Sequence, residues 1–118
     1  MTLVEYTCEL FNCETNDLFI RTRKRNVVDA RRVCMTVMRK FTNLTLNKIG
    51  AYFCQPHYMV IHHIRAFEDL CITDKDFKAK ADLVFNAIKN ELVEVPYGKK
   101  VESIDYLDED MKLYAELV

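Results

Sequence analysis

The apolar residues of this chain recur at intervals of three and four, which is the spacing of an amphipathic α-helix. The pattern predicts helices over residues 3–12, 26–41, 56–72 and 74–93, with a short helix after Thr45. Two glycines and two prolines are too few for the many tight turns of an all-β protein. The pattern therefore predicts an all-α bundle of about five helices.

Polar and small residues mark where these helices begin and how closely they pack. Asn26 is a good N-cap for the long second helix, and Thr45 is one for the short helix. Pro56 suits the first position of the next helix, because its missing N–H would have no partner there. The small residues Gly50 and Ala51 are expected to let the two helices on either side of the turn approach each other.

Helical spacing also predicts which side chains face the core and which face solvent. In the helix from residue 56, the apolar stripe consists of Val60, Ile61, Ile64, Phe67 and Cys71. The opposite face displays Tyr58, Met59, His62 and Arg65, with His57 and His63 at the edges of the core face. In the long helix, the basic side chains off the apolar stripe are expected to face outward, namely Arg31, Arg32 and Arg39. The last helix is expected to bury Phe77, Ala81, Val84, Phe85, Ile88 and Leu92.

A short helix, a tight turn and a second helix with polar and soft apolar side chains outward form a helix-turn-helix arrangement. Helical hairpins of this kind are common in all-α proteins, so this pattern favours DNA binding without establishing it.

Charge strengthens the case for DNA binding, because the net charge of −1 conceals a strong segregation. Residues 20–48 carry nine basic side chains against one aspartate, whereas residues 91–118 carry eight acidic side chains against three lysines. A basic block of this size is typical of contact with a polyanion. The alternative is a solvated face that pairs with the acidic ends of the chain.

Other classes of protein receive little support. The five cysteines are irregularly spaced, which favours free thiols in a reducing compartment and a cytoplasmic protein. Cys54 and His57 have no second ligand pair at zinc spacing, and no paired carboxylate or activated nucleophile indicates an enzyme. We therefore expect no metal, no cofactor, no catalysis and no contact with a membrane; no apolar run is long enough to span one, and the first residues lack the features of a secretory signal.

The segments "RTRKRNVVDARRVCMTVMRKFTNLTLNKIGAYF" and "HYMVIHHIRAFEDL" resemble the C-terminal DNA-binding domain of the DnaA family of bacterial replication initiators. The resemblance runs from about residue 7 to residue 92. It implies a DnaA C-terminal or Trp-repressor-like helix-turn-helix fold that binds double-stranded DNA. No GxxxxGK[ST] nucleotide-binding motif occurs in the sequence.

The resemblance also implies roles for individual residues. Arg23 matches an arginine that enters the minor groove, with Arg21 and Arg25 beside it, and Arg31 matches one that contacts the phosphate backbone. Thr45, Leu46 and Asn47 match the start of the short helix, which approaches the backbone and thymine methyls. The candidate DNA-binding residues are Arg21, Arg23, Lys24, Arg25, Arg31, Thr45, Leu46, Asn47, Lys48, Gln55, His57, Tyr58, Met59 and His62.

The recognition helix departs from the family at its first turn. Where the family has Asp-His-Thr-Thr, this chain has Pro56, His57, Tyr58 and Met59, and Gln55 replaces a basic residue. Aspartate accepts hydrogen bonds from cytosine, whereas Tyr58 and Met59 offer mainly apolar surface. Two readings follow: a stand-alone double-stranded DNA-binding regulator of replication or transcription, or a protein-interaction module with little DNA binding.

A Pro and a Gly in "VPYGKK" divide the chain into a helix-turn-helix domain, residues 1–95, and an acidic extension, residues 96–118. The extension is predicted to be helical. It is a candidate contact for a protein partner or a homodimer; the alternatives are that it packs on the domain as an added helix or covers the basic face as a DNA mimic.

Overall fold

A computed structural model describes residues 1–96, which form five α-helices and one 3₁₀ helix with no β-strand among them. The helices are α1 (Leu3–Phe11), α2 (Arg25–Phe41), α3 (Leu46–Tyr52), α4 (His57–Thr73) and α5 (Lys75–Lys89), and the 3₁₀ helix, Thr15–Phe19, lies between α1 and α2. The predicted all-α helix-turn-helix bundle is confirmed. On α1, the buried face is formed by Leu3, Val4, Thr7, Cys8 and Phe11.

Helix α2 lies at the centre of the molecule and contacts α1, α3, α4, α5 and the 3₁₀ helix. Every residue from Val33 to Arg39 is buried. The expectation that Arg31 and Arg39 face outward is therefore wrong, because a helix with neighbours on several sides has no broad solvent face. Arg32 is half-buried and pairs with Asp29 at 3.1 Å.

Two of the predicted helix starts are displaced by one residue. Helix α2 begins at Arg25, so Asn26 is not its N-cap; the Asn26 side-chain amide instead donates to the Asn12 carbonyl at 2.9 Å. Pro56 precedes α4 as its N-cap instead of occupying its first turn. At either position, a proline has no N–H that would need a partner at the start of the helix. The physical role of Pro56 is therefore unchanged.

The end of α5 also differs from the prediction. The helix ends at Lys89, and Glu91 has a left-handed backbone with φ of 59°. Leu92 is 70% exposed rather than buried, whereas Val93 and Val95 enter the core. This segment then meets the start of the chain, where the Leu3 N–H donates to the Glu94 carbonyl at 2.8 Å. The domain boundary at residue 95 stays a prediction, and the predicted acidic helix lies outside the described residues.

Candidate nucleic-acid interface

The turn between α3 and α4 is tight and held by backbone hydrogen bonds. The Thr45 hydroxyl accepts from the Lys48 N–H at 3.2 Å, which confirms the predicted cap of α3. After α3, Cys54 adopts a left-handed backbone with φ of 59°. The Gln55 N–H then donates to the Gly50 carbonyl at 2.8 Å. These contacts set the direction in which α4 leaves the turn.

Gly50 lies where the turn folds back on α3. A Cβ atom at this position would lie 2.3 Å from the Gln55 carbonyl oxygen and 3.3 Å from a Val60 methyl group. The prediction that Gly50 permits close approach is confirmed. The same prediction is wrong for Ala51, because that residue is exposed.

Helix α4 buries the predicted stripe of Val60, Ile61, Ile64 and Phe67, while Cys71 is only half-buried. On its outer face, Tyr58 is 62% exposed and His62 is exposed. His57 is exposed as well, rather than at the edge of the core. Met59 was predicted to be exposed on the same face, but its side chain is half-buried.

His63 is buried, with 4% of its surface exposed, and neither ring nitrogen has a hydrogen-bond partner within residues 1–96. Burial, together with the nearby positive charges of Arg32 and Arg31, lowers the pKa of His63 to about 4. His63 is therefore neutral at pH 7. The three histidines of α4 do not converge, and residues 1–96 contain no group of three His, Cys, Asp or Glu side chains placed to hold a metal ion.

The basic loop runs from Arg21 to Arg25, the first residue of α2, and its four cationic side chains are exposed. Arg25 is partly engaged, because its guanidinium pairs with Asp29 at 2.9 Å. No side-chain hydrogen bond or ion pair within the described residues involves Arg21 or Arg23. Exposed arginines of this kind are available to an anionic ligand at little cost in existing contacts.

Arg31 does not face solvent with the other candidate residues. It is 2% exposed, and its guanidinium donates to the carbonyls of Leu18 at 3.1 Å, Asp17 at 3.3 Å and Ile20 at 2.9 Å. Burial lowers its pKa, and the three acceptor oxygens offset the cost of burying the charge. Its side chain thus holds the chain segment that leads into the basic loop.

Aromatic side chains fix the other side of that segment. The ring of Phe19 stacks on Phe53 with centroids 5.7 Å apart and meets the edge of Tyr52 at 5.3 Å. The start of the basic loop is thereby attached to the end of α3. Helical spacing does not predict this contact, although the "LF" pair before the basic loop is a signal for an apolar anchor.

The basic loop and the start of α4 both line a cleft of about 600 Å³. Arg21 and Arg23 of the loop line it together with Gln55, Tyr58 and Met59, which are all predicted site residues. Ile20 and Thr22 also line the cleft and were not predicted. His63 lies at its buried floor.

Apart from Arg31, whose buried side chain also lines the cleft, the other predicted residues lie outside it. Lys24, Arg25, His57 and His62 are exposed but do not line it. At the start of α3, Thr45, Asn47 and Lys48 are exposed, whereas Leu46 is buried, so its side chain does not lie on the surface. The described surface therefore presents the loop, the start of α3 and the start of α4, with Arg31 and Leu46 beneath.

None of the helices within residues 1–96 is both long enough and apolar enough to cross a lipid bilayer.

Comparison with known proteins identifies relatives of this domain. The chain is 27% identical over 92 residues to the chromosomal replication initiator protein DnaA of Bacteroides fragilis (strain YCH46), covering 77% of this chain and 19% of that protein. It is 30% identical over 79 residues to DnaA of Desulfotalea psychrophila (strain LSv54 / DSM 12343), covering 67% of this chain and 16% of that protein. The chain thus spans less than a fifth of the length of these curated relatives.

The sequence model of the bacterial DnaA protein helix-turn-helix matches residues 1–66, which is more than half of the chain. The match includes α1, the 3₁₀ helix, the basic loop, α2, α3 and the first turns of α4. With the helical fold described above, it establishes that this chain belongs to the bacterial DnaA helix-turn-helix family.

Proposed function

We propose that this domain binds double-stranded DNA, with the basic loop in the minor groove and the start of α4 in the adjacent major groove. Membership of the DnaA helix-turn-helix family supports DNA binding in the context of replication initiation. The observation that carries the proposal is the shared cleft, which is lined by Arg21 and Arg23 together with Gln55, Tyr58 and Met59. In the proposed complex, the two elements lie on either side of the sugar–phosphate strand that separates the two grooves.

The proposed base contacts differ in chemistry from those that the family signature implies. Gln55 offers both a donor and an acceptor, which suits the edge of an adenine. Tyr58, on the exposed face of α4, offers apolar surface for a thymine methyl together with one hydroxyl. These side chains favour A·T base pairs at the positions that they face. We propose that the domain acts as a regulator of replication or transcription, by binding and not by catalysis.

The proposal is tested by measuring the affinity for a random-sequence duplex at low salt. We expect the wild-type protein to bind with a dissociation constant below about 100 μM, the upper end for non-specific binding. The Arg21→Ala/Arg23→Ala double variant should lose about tenfold or more in affinity, since two exposed cations leave the cleft. The matched control is Lys40→Ala/Lys89→Ala, which removes two exposed cations that do not line the cleft. Binding weaker than that limit, or equal losses in both double variants, contradicts the proposal.

A second candidate function is the binding of a protein partner at the same end of α4. The specific observation is the exposed apolar surface of Tyr58 together with Ile20, which is 55% exposed on the lining of the same cleft. Tyrosine is enriched in protein interfaces. This reading predicts that Tyr58→Ala abolishes capture of the partner while Arg21→Ala/Arg23→Ala leaves it unchanged. A loss of duplex binding in the arginine variant favours DNA as the ligand.

A further inference from the structure

Two thiols meet at the end of α1, on a surface separate from the DNA-binding cleft. Asn12 has a left-handed backbone, the Cys13 N–H donates to the Cys8 carbonyl at 3.0 Å, and the Asn12 N–H donates to the Glu9 carbonyl at 3.4 Å. These are the two hydrogen bonds of a Schellman motif. In that motif, the side chains at the two ends of the longer hydrogen-bonded ring commonly contact each other. Here the two ends are Cys13 and Cys8, so the motif brings these two side chains together.

The pair has an accessible member and a sheltered one. Both cysteines line a cleft of about 750 Å³ beside the start of α2, and both are reduced. Cys13 is half-buried, whereas Cys8 is only 2% exposed. A small reagent that enters the cleft therefore meets Cys13 before Cys8.

We propose that Cys13 and Cys8 are a dithiol site for oxidation by a small, neutral or cationic disulfide. In the first step, the Cys13 sulfur attacks one sulfur of the reagent, and the other half of the reagent leaves as a thiolate. In the second step, the Cys8 sulfur attacks the Cys13 sulfur, which displaces the remaining half as a thiolate. The two protons that the cysteines give up protonate the two leaving thiolates, so one reagent disulfide is reduced as one protein disulfide forms.

The charges around the cleft select the reagent. Glu9, Glu14 and Asp17 line it, opposed by one cation, Lys24. An anionic disulfide is repelled by this excess of negative charge, whereas a neutral or cationic one is not. Burial raises the pKa of both thiols, so we expect the reaction to accelerate as the pH is raised above neutrality.

Cys34 is the competing partner, because it is a fully buried thiol close to the pair. Burial raises its pKa to about 12. The backbone hydrogen bond of the Schellman motif joins Cys13 to Cys8 and not to Cys34. The geometry thus favours a bridge between residues 8 and 13.

The test treats the native full chain with the cationic disulfide cystamine, stops the reaction with acid, and maps the products by peptide mass spectrometry. We expect one internal Cys8–Cys13 bridge, seen as a loss of about 2 Da from the peptide that contains both residues. The Cys8→Ser variant should instead stop with half of the reagent attached to Cys13, and circular dichroism checks that this variant is folded. An anionic aromatic disulfide should form the bridge more slowly than cystamine, relative to its reaction with the exposed Cys54.

Several results would overturn the proposal without reference to DNA binding. One is a Cys13–Cys34 bridge in place of the expected one. Another is a stable mixed disulfide on Cys13 in the wild-type protein, which shows that Cys8 does not displace the reagent. A third is a bridge between residues 8 and 13 that forms no faster in the native protein than in the urea-unfolded chain. This wild-type comparison remains decisive even when the serine variant does not fold.

Discussion

At the scale of single residues, Gly50 determines how closely α3 and the turn approach each other. An alanine there would place its Cβ 2.3 Å from the Gln55 carbonyl oxygen, which is backbone and cannot rotate away. We predict that Gly50→Ala lowers the free energy of unfolding by about 3 kcal/mol, measured by chemical denaturation. The neighbouring Ala51→Ser, on the exposed side of the same helix, should change it by less than about 0.5 kcal/mol. A Gly50→Ala protein as stable as the wild type would show that the turn is not held this closely.

His63 is the residue that couples stability to pH. Its pKa is about 4 in the folded protein, against 6.5 for an unperturbed histidine, so the unfolded chain binds the proton more readily. Stability from neutral His63 is therefore present in full above pH 6.5 and is lost as the pH falls toward 4. The expected loss over this range is about 3 kcal/mol.

The measurement is the free energy of unfolding from pH 7.5 to pH 4 for the wild type and two variants. His63→Leu keeps an apolar side chain at the buried position and should remove the loss that His63 causes. His62→Gln, on the exposed face of the same helix, should retain it. Parallel pH profiles for wild type and His63→Leu would contradict this account.

At the scale of elements, α2 shows what periodicity predicts and what it does not. Spacing of three and four correctly located the helix. It wrongly assigned Arg31 and Arg39 to a solvent face. An amphipathic pattern describes a helix that packs against the rest of the protein on one face, whereas α2 contacts several other helices. A charged residue enters such a core only with acceptors supplied by other segments, and those contacts are not encoded in the spacing of one helix.

The candidate site was predictable to a similar extent. The basic loop and the exposed face of α4 follow from charge and helical phase, so Arg23 and Tyr58 were found. The cleft between them depends on long-range contacts such as the stacking of Phe19 on Phe53. Such tertiary contacts leave no periodic signal, which is why Ile20 and Thr22 were missed.

Arg31 links α2 to the 3₁₀ helix and to the loop that follows it. We predict that Arg31→Ala lowers the free energy of unfolding by about 3 kcal/mol, since three carbonyl groups lose a charged donor. Arg23→Ala, on the exposed loop, should change it by less than about 0.5 kcal/mol. Calorimetry and duplex titration of both variants separate stability from affinity. An Arg31→Ala protein of wild-type stability but weakened DNA binding would indicate a direct phosphate contact instead.

At the scale of the whole molecule, the distribution of charge matters more for DNA binding than the net charge does. The net charge is −1, yet the block of residues 20–48 carries a net +8. Folding buries Arg31 and Arg39 from this block and pairs Arg25 and Arg32 with Asp29. The loop cations Arg21 and Arg23 remain without such partners within the described residues, and they lie on the cleft. We expect these two to dominate the electrostatic part of DNA binding.

The salt dependence of duplex binding tests this central claim most directly. Each phosphate neutralised on B-form DNA contributes about −0.9 to the slope of log K against log salt concentration. We predict that Arg21→Ala/Arg23→Ala makes the slope shallower by about 2, while Lys40→Ala/Lys89→Ala leaves it at the wild-type value. The same slope in all three proteins would contradict the account, because DNA would then be bound without the cleft arginines.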